Sequence, residues 1–251
     1  MSGHSKWANI KHKKAKSDEK RGREFTKVAK EIAIAVRMGG GPDPDANSRL
    51  KLAIQKAKAI NMPNDNINRS IKKGSGDLGG DTMEEFFYEG YAPGGVAVML
   101  KIATDNRNRT SADIRHLFSK HGGNMGENGC VSWMFDQVGM ITINKENVEM
   151  DSDEFMLSMI ECGADDMRED EEVYEVITQM DQLMQVVEQV EKIAPIEEAD
   201  LVMLPQNMME VSDKALAEKI LKLIDILEEH DDVENVYSNV SIPDEIMEEL
   251  A

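Results

Sequence analysis

Phe25, Val28, Ala29, Ile32, Ala33 and Val36 recur at i, i+3, i+4, i+7, i+8 and i+11, and this stripe commits the opening of the chain to helix. Met38-Gly-Gly-Gly-Pro-Asp-Pro ends that helix, because glycine favours left-handed caps and proline cannot continue a helix. Asn47 is placed to cap a second helix with Leu50, Ala53, Ile54, Ala57 and Ile60 on its apolar positions. Met62-Pro63 breaks it, and a short third helix from Asn64 or Asp65 carries Ile67 and Ile71 inward before Gly74 stops it. Three amphipathic helices with small loops make a small bundle over residues 1–76.

The pattern then changes. Phe86–Tyr91 and Val96–Ala103 read as strands joined at Ala92-Pro93-Gly94-Gly95, followed by a helix over about 109–120 and a strand from Cys130 to Phe135. From the turn near Gly139 the order is strand 140–143, helix 153–162, strands 164–168 and 173–178, helix 181–192 and strand 197–204. That βαββαβ order is ferredoxin-like. The tail from 206 adds a strand, a helix over Ala215–Leu227 and a strand over Val233–Tyr237, elements that the second region needs to close its own sheet. The expected architecture is α+β with three domains, a small N-terminal helical bundle followed by two ferredoxin-like α+β domains, the last inserted into the middle one. Residues 1–76 form the basic helical domain, 77–136 plus 206–251 an α+β domain, and 137–205 a ferredoxin-like domain inserted into it.

The charge follows this division. The net charge of −19 taken alone argues against a polyanionic partner. Residues 1–73, however, hold 18 Lys and Arg against 7 Asp and Glu, while residues 74–251 hold 11 against 41. A basic head on an acidic body points to nucleic acid at the head and repels it elsewhere. Lys6, Lys11, Lys13, Lys14, Lys16, Lys20, Arg21, Arg23, Lys27 and Lys30 supply the closely spaced cations that phosphate neutralisation requires. Trp7, among them, either stacks on a base or packs on the bundle. The later cations Lys51, Lys58, Arg69, Lys72 and Lys73 read as the polar side of amphipathic helices, supporting charges rather than a site.

A second candidate is Asp105-Asn-Arg-Asn-Arg-Thr, a strand-to-helix loop where Arg107 and Arg109, joined by Arg115, suit a phosphate backbone. Thr110 and Ser111 would alternatively cap the helix. The glycines at 122, 123, 126 and 129 follow a helix and precede a strand, the reverse of a phosphate cradle, and so read as a tight backbone bend. The acidic runs 169–172 and 228–232 lack calcium-loop spacing and read as solvated surface. Cys130 and Cys162 are too few and too far apart for a disulfide scaffold or a zinc site, and both read as reduced, buried thiols. No apolar run exceeds a few residues, and the N-terminus has no apolar stretch behind its charge, which argues against a membrane span or a secretory signal.

Five blocks carry a resemblance to a known family: HSKWANIKHKKAKSDEKRGREFTK, NMPNDNINRSIKKGSG, YEGYAPGGVAVM, TDNRNRTSADIRHLFSKHGGNMGENGCVSWMF and VYSNV. The chain resembles the YebC/PmpR family along its whole length. The resemblance implies a helical domain and two α+β domains without enzymatic activity. Members are described as transcriptional regulators that bind DNA, or as translation factors that act on the ribosome and relieve stalling, for example at proline runs. The expectation is a monomeric, non-enzymatic nucleic-acid-binding regulator of the bacterial cytoplasm, with no cofactor, metal, membrane or small-molecule substrate. DNA, or ribosomal or transfer RNA on the ribosome, is its partner; a protein-interaction adaptor working through the acidic domains is the rival.

Overall fold

Helix α1 (Asp18–Met38) turns its apolar stripe inward, and Val28, Ile32, Ala35 and Val36 share one core with Leu50, Ala53 and Ala57 of α2 (Ser48–Ala59) and Ile67 of α3 (Asn64–Gly74). The computed structural model describes residues 18–77, 83–170 and 172–250, with the side chains of 18–21 outside that description. Lys6, Trp7, Lys11, Lys13, Lys14 and Lys16 therefore lie outside the described residues. Buried Asn47 does more than cap α2: its Oδ1 accepts from Leu50 N at 3.0 Å while its Nδ2 donates to the Ala35 and Gly41 carbonyls, both at 2.8 Å. One amide thus satisfies orphan groups at both ends of the α1–α2 connection. Helix α3 approaches α1 so closely at Gly74 that a Cβ there would stand 2.5 Å from the Ala33 oxygen.

Strands β1 (Glu84–Tyr91) and β2 (Ala97–Thr104) form an antiparallel hairpin whose register runs from Glu84↔Thr104 to Tyr91↔Ala97. Gly94 and Gly95 take φ of 78° and 86° in its turn, a region L side chains avoid. Helix α4 (Arg107–Lys120) and the short β3 (Asn124–Met125) follow. Residues Asp136–Leu204 form a compact unit separate from the rest of the chain. After that unit come β8 (Met209–Glu210), α7 (Lys214–Glu228), β9 (Val233–Ser238), β10 (Val240–Ser241) and α8 (Asp244–Leu250). The returning chain completes the sheet it had left, giving the order β3-β1-β2-β9. Ile114 and Phe118 of α4 and Ile220, Leu223, Ile224 and Leu227 of α7 bury one face of that sheet against Val98, Leu100 and Ile102. On the opposite side, Ile34 of α1 packs with Met83 and Ala103.

The 136–204 unit continues from β4 (Phe135–Asn144) through α5 (Ser152–Glu161), β5 (Asp166–Glu169), β6 (Val173–Thr178), α6 (Leu183–Val190) and β7 (Glu198–Pro205). Its antiparallel order β5-β6-β4-β7 is the ferredoxin-like arrangement. The earlier sheet departs from the expected ferredoxin-like order: its first two strands are a direct hairpin and its order is β3-β1-β2-β9, so it reaches similar layering by another route. The fold class is the expected mixed α+β, with a helical N-terminal region followed by antiparallel sheets.

Three local expectations need correction. Cys130–Phe135 is not a strand: a 3-10 turn covers Ser132–Met134 and pairing begins only at Phe135. Neither Thr110 nor Ser111 caps α4, because Asn106 does, accepting from Arg109 N at 3.1 Å. Cys130 and Cys162 are free thiols, but half-buried rather than buried. Among the described residues no helix is long and apolar enough to cross a membrane.

Candidate nucleic-acid interface

Helix α1 is long because nothing between Asp18 and Met38 breaks it, and its length carries Arg23, Lys27 and Lys30 along one side. That side is not open. Lys27 Nζ donates to the Glu228 carbonyl at 2.6 Å, and burial pulls the ammonium below its ordinary pKa against the attraction of Glu228. Lys30 Nζ reaches Asp232 Oδ1 at 2.7 Å and the Asp231 carbonyl at 2.9 Å. Arg23 comes within 3.9 Å of Glu229. The acidic run 228–232 is therefore not merely solvated surface, since it receives the cations of α1. Lys27 and Lys30 leave the set of phosphate-facing candidates, because an ammonium already desolvated against protein oxygens has little left to offer a phosphate.

Asp232 is the centre of this contact. Its Oδ2 accepts from Arg109 Nη2 at 2.9 Å and Thr110 Oγ1 at 2.8 Å, with Thr104 Oγ1 at 3.2 Å. Burial alone would raise its pKa, but hydrogen bonds from Lys30, Arg109 and Thr110 outweigh that and hold the carboxyl well below the usual carboxylate range. One carboxylate in the turn just before β9 thus ties α1 to the start of α4. Arg109 also bonds Asp105 at 3.1 Å and keeps half its side chain in solvent.

The other candidates do not converge there. Arg107 stacks 4.2 Å above the Phe86 ring and stands 4.0 Å from Glu84, while Arg115 is exposed farther along α4. Lys20 and Arg21 lie on the first turns of α1, their side chains outside the described residues. The structure instead brings forward two residues first read as supporting charges. Arg69 and Lys73, one turn apart on α3, line a groove of about 570 Å³ with Asn66, Ser70, Phe25 and the already paired Lys30 of α1. Asn66, Arg69, Ser70 and Lys73, at i, i+3, i+4 and i+7, share one face of α3, and that spacing was the signal available in the sequence.

The glycine loop is closed to anions. Glu89 of β1 accepts from the backbone N–H groups of Gly129 at 2.7 Å and of Val131 and Ser132 at 2.8 Å each. Burial opposes the Glu89 charge, and these donors more than offset it, holding the carboxyl below its ordinary value. They also explain the missing strand, because amides turned toward Glu89 cannot join a ladder. Beneath the bundle, Glu234 is the reverse case. Both its oxygens are buried without a hydrogen-bond partner, Lys101 Nζ stands 3.6 Å away, and burial pushes the carboxyl up to about 7.

This geometry defines a mixed α+β protein whose basic helical bundle is tied by ion pairs to an acidic sheet domain. A model of the TACO1/YebC protein N-terminal domain matches residues 5–77, and one of the TACO1/YebC second and third domain matches residues 83–240. The chain belongs to the TACO1/YebC family. It is 64% identical, over the full length of both chains, to a protein of Syntrophomonas wolfei named "probable transcriptional regulatory protein". A Halothermothrix orenii protein of the same name is 54% identical, with 100% of this chain and 99% of that one covered. The crystal structure of a conserved hypothetical protein from Aquifex aeolicus superposes with a TM-score of 0.85 at 46% identity, covering 90% of this chain and 93% of that one.

Proposed function

We propose that this protein is a non-enzymatic regulator that binds nucleic acid through the phosphates, using its N-terminal helical region, in the cytoplasm. The observation that carries the reading is the separation of charge: residues 1–73 hold 18 of the 29 Lys and Arg, and residues 74–251 hold 41 of the 48 Asp and Glu. The groove between α1 and α3, with Arg69 and Lys73 at its lip, supports it. The relatives are named probable transcriptional regulatory proteins, and if this chain shares that role its target is DNA. Arg107, Arg109 and Arg115 enter as secondary phosphate contacts.

One observation favours a second target, ribosomal or transfer RNA on the translating ribosome. A DNA recognition helix reads bases with its N-terminal residues. Helix α3 has Asn64, Asp65 and Asn66 there and gathers Arg69, Lys72 and Lys73 toward its C-terminal end. Asn64 and Asn66 have the chemistry to read base edges, but the cations of this helix lie at its other end, where they suit backbone and shape.

Crosslinking in cells followed by sequencing of bound DNA and RNA, beside ribosome sedimentation, separates the two targets. Discrete promoter fragments support the first; ribosomal RNA with co-sedimentation supports the second. In vitro, log affinity should fall linearly with log salt, with a shallower slope after neutralisation of Lys11, Lys13 and Lys14. A chain lacking residues 1–30 that still held its target as tightly would end the proposal.

A further inference from the structure

Helix α5 is apolar on two sides. Phe155 and Met159 point inward and are fully buried, and Phe155 packs 4.8 Å from the Tyr174 ring, so the helix is already anchored on its own sheet. Met156, Leu157 and Ile160, at i, i+1 and i+4, form a second stripe on the solvent side, where a helix of this kind normally carries charge. Leu157 is 67% exposed and Ile160 46%. Folding of the 136–204 unit leaves much of this stripe uncovered, and exposed Ile193 lies next to Lys192, whose charge is felt at Cys162 beside the end of α5.

The surroundings of the stripe decide what fits it. Asp153, Glu154 and Glu161 are exposed on the same helix. Residues 136–204 as a whole hold 20 Asp and Glu against 3 Lys and Arg, a net of −17. The same face of a second copy would bring −17 against −17, and a nucleic acid or an anionic membrane would be repelled in the same way. An apolar ridge bordered by Lys or Arg satisfies both the stripe and its acidic rim, and flexible Met156 lets the contact adapt to it.

We propose that the solvent face of α5 is a docking site for a cationic protein, one that presents apolar side chains flanked by Lys or Arg. The site is independent of the nucleic-acid reading, because it lies in a different unit and recognises the opposite charge. It would allow the basic head to hold nucleic acid while the insert holds a basic protein.

The test uses the full chain and a fluorescent synthetic amphipathic Leu/Lys helix as probe, with binding followed by anisotropy. Two further peptides serve as controls, one with the same residues scrambled to abolish the apolar face and one in which Glu replaces Lys. The Leu/Lys helix should bind, with amide shift changes centred on α5, and both controls should bind at least about tenfold more weakly. Substituting Met156→Gln, Leu157→Gln and Ile160→Gln together should weaken the Leu/Lys helix by about tenfold or more and leave the melting temperature unchanged, since all three side chains face solvent. Equal binding by the scrambled peptide would mean bulk charge attraction and would overturn the proposal. Unchanged affinity in the triple variant would do the same, as would a wild-type dimer that the triple substitution returns to monomer.

Discussion

Replacing Asp232 by Asn keeps the side chain's size and removes the charge that joins α1 to the sheet domain. Lys30, Arg109 and Thr110 point donors at this carboxylate from 2.7, 2.9 and 2.8 Å, and its side chain is only 6% exposed, so water cannot take its place. Breaking a buried pair by removing one partner costs about 3–5 kcal/mol, and the lower end applies because Arg109 retains Asp105 and solvent. A destabilisation of about 3 kcal/mol is therefore expected for D232N, read by guanidinium unfolding together with amide hydrogen exchange along α1. The sign with pH follows from the direction of the shift. The folded-state carboxyl lies below its unfolded value, so its contribution is complete above about pH 4 and fades as pH falls further. The deficit of D232N should shrink in that acid range. A loss under about 1 kcal/mol at neutral pH, with unchanged exchange in α1, would refute the view that this carboxylate holds the bundle in place.

Glu234 should act in the opposite sense. With its folded pKa at about 7 against 4.5 for the free group, the folded state holds a proton that the unfolded chain releases. Stability should fall as pH rises from about 4.5 to 7, by on the order of 3 kcal/mol, and Glu234→Gln should flatten that slope; a wild-type curve no steeper than the variant's would count against it. Glu31, Glu85, Arg49 and Lys101 face the same carboxyl and set how far the step extends. Glu89→Ala leaves the amides of Gly129, Val131 and Ser132 without their acceptor, with an expected cost of about 3 kcal/mol and faster exchange at those amides. Unaltered protection there would show that the loop holds its shape without Glu89. Gly74→Ala drives a methyl toward the Ala33 oxygen and should cost about 1–3 kcal/mol in thermal unfolding, whereas a neutral result would mean that α3 shifts freely along α1.

The helices and strands were largely legible because apolar periodicity is local. Expected boundaries fell within a few residues of α2, α3, β1, β2, α5 and β6, where each stripe or alternation is clean. The short β3 and β10 and the acidic α8 were missed, since two-residue strands and a seven-residue helix hold too few positions to show a period. The Cys130–Phe135 error has a different origin. Val131, Trp133 and Phe135 alternate as a strand would, but Glu89, some 40 residues earlier, takes the amides that a ladder needs.

By itself the amino-acid order determined where the helices and strands lie, which family the chain resembles, and that positive charge is gathered in its opening third. Composition and period are properties of short windows, and no partner is needed to express them. Which cations remain available was decided only by tertiary structure. Lys27 looks the same as Arg69 and Lys73 in a list of basic residues, yet it is held by the 228–232 turn while the other two border a groove, and Lys30, which lines the same groove, is held by that turn as well. The partners of Lys27 and Lys30 lie about 200 residues away in the chain, brought there by the return of β9 beside β2. An electrostatic role is set by distance and desolvation, and neither exists until the chain has closed on itself.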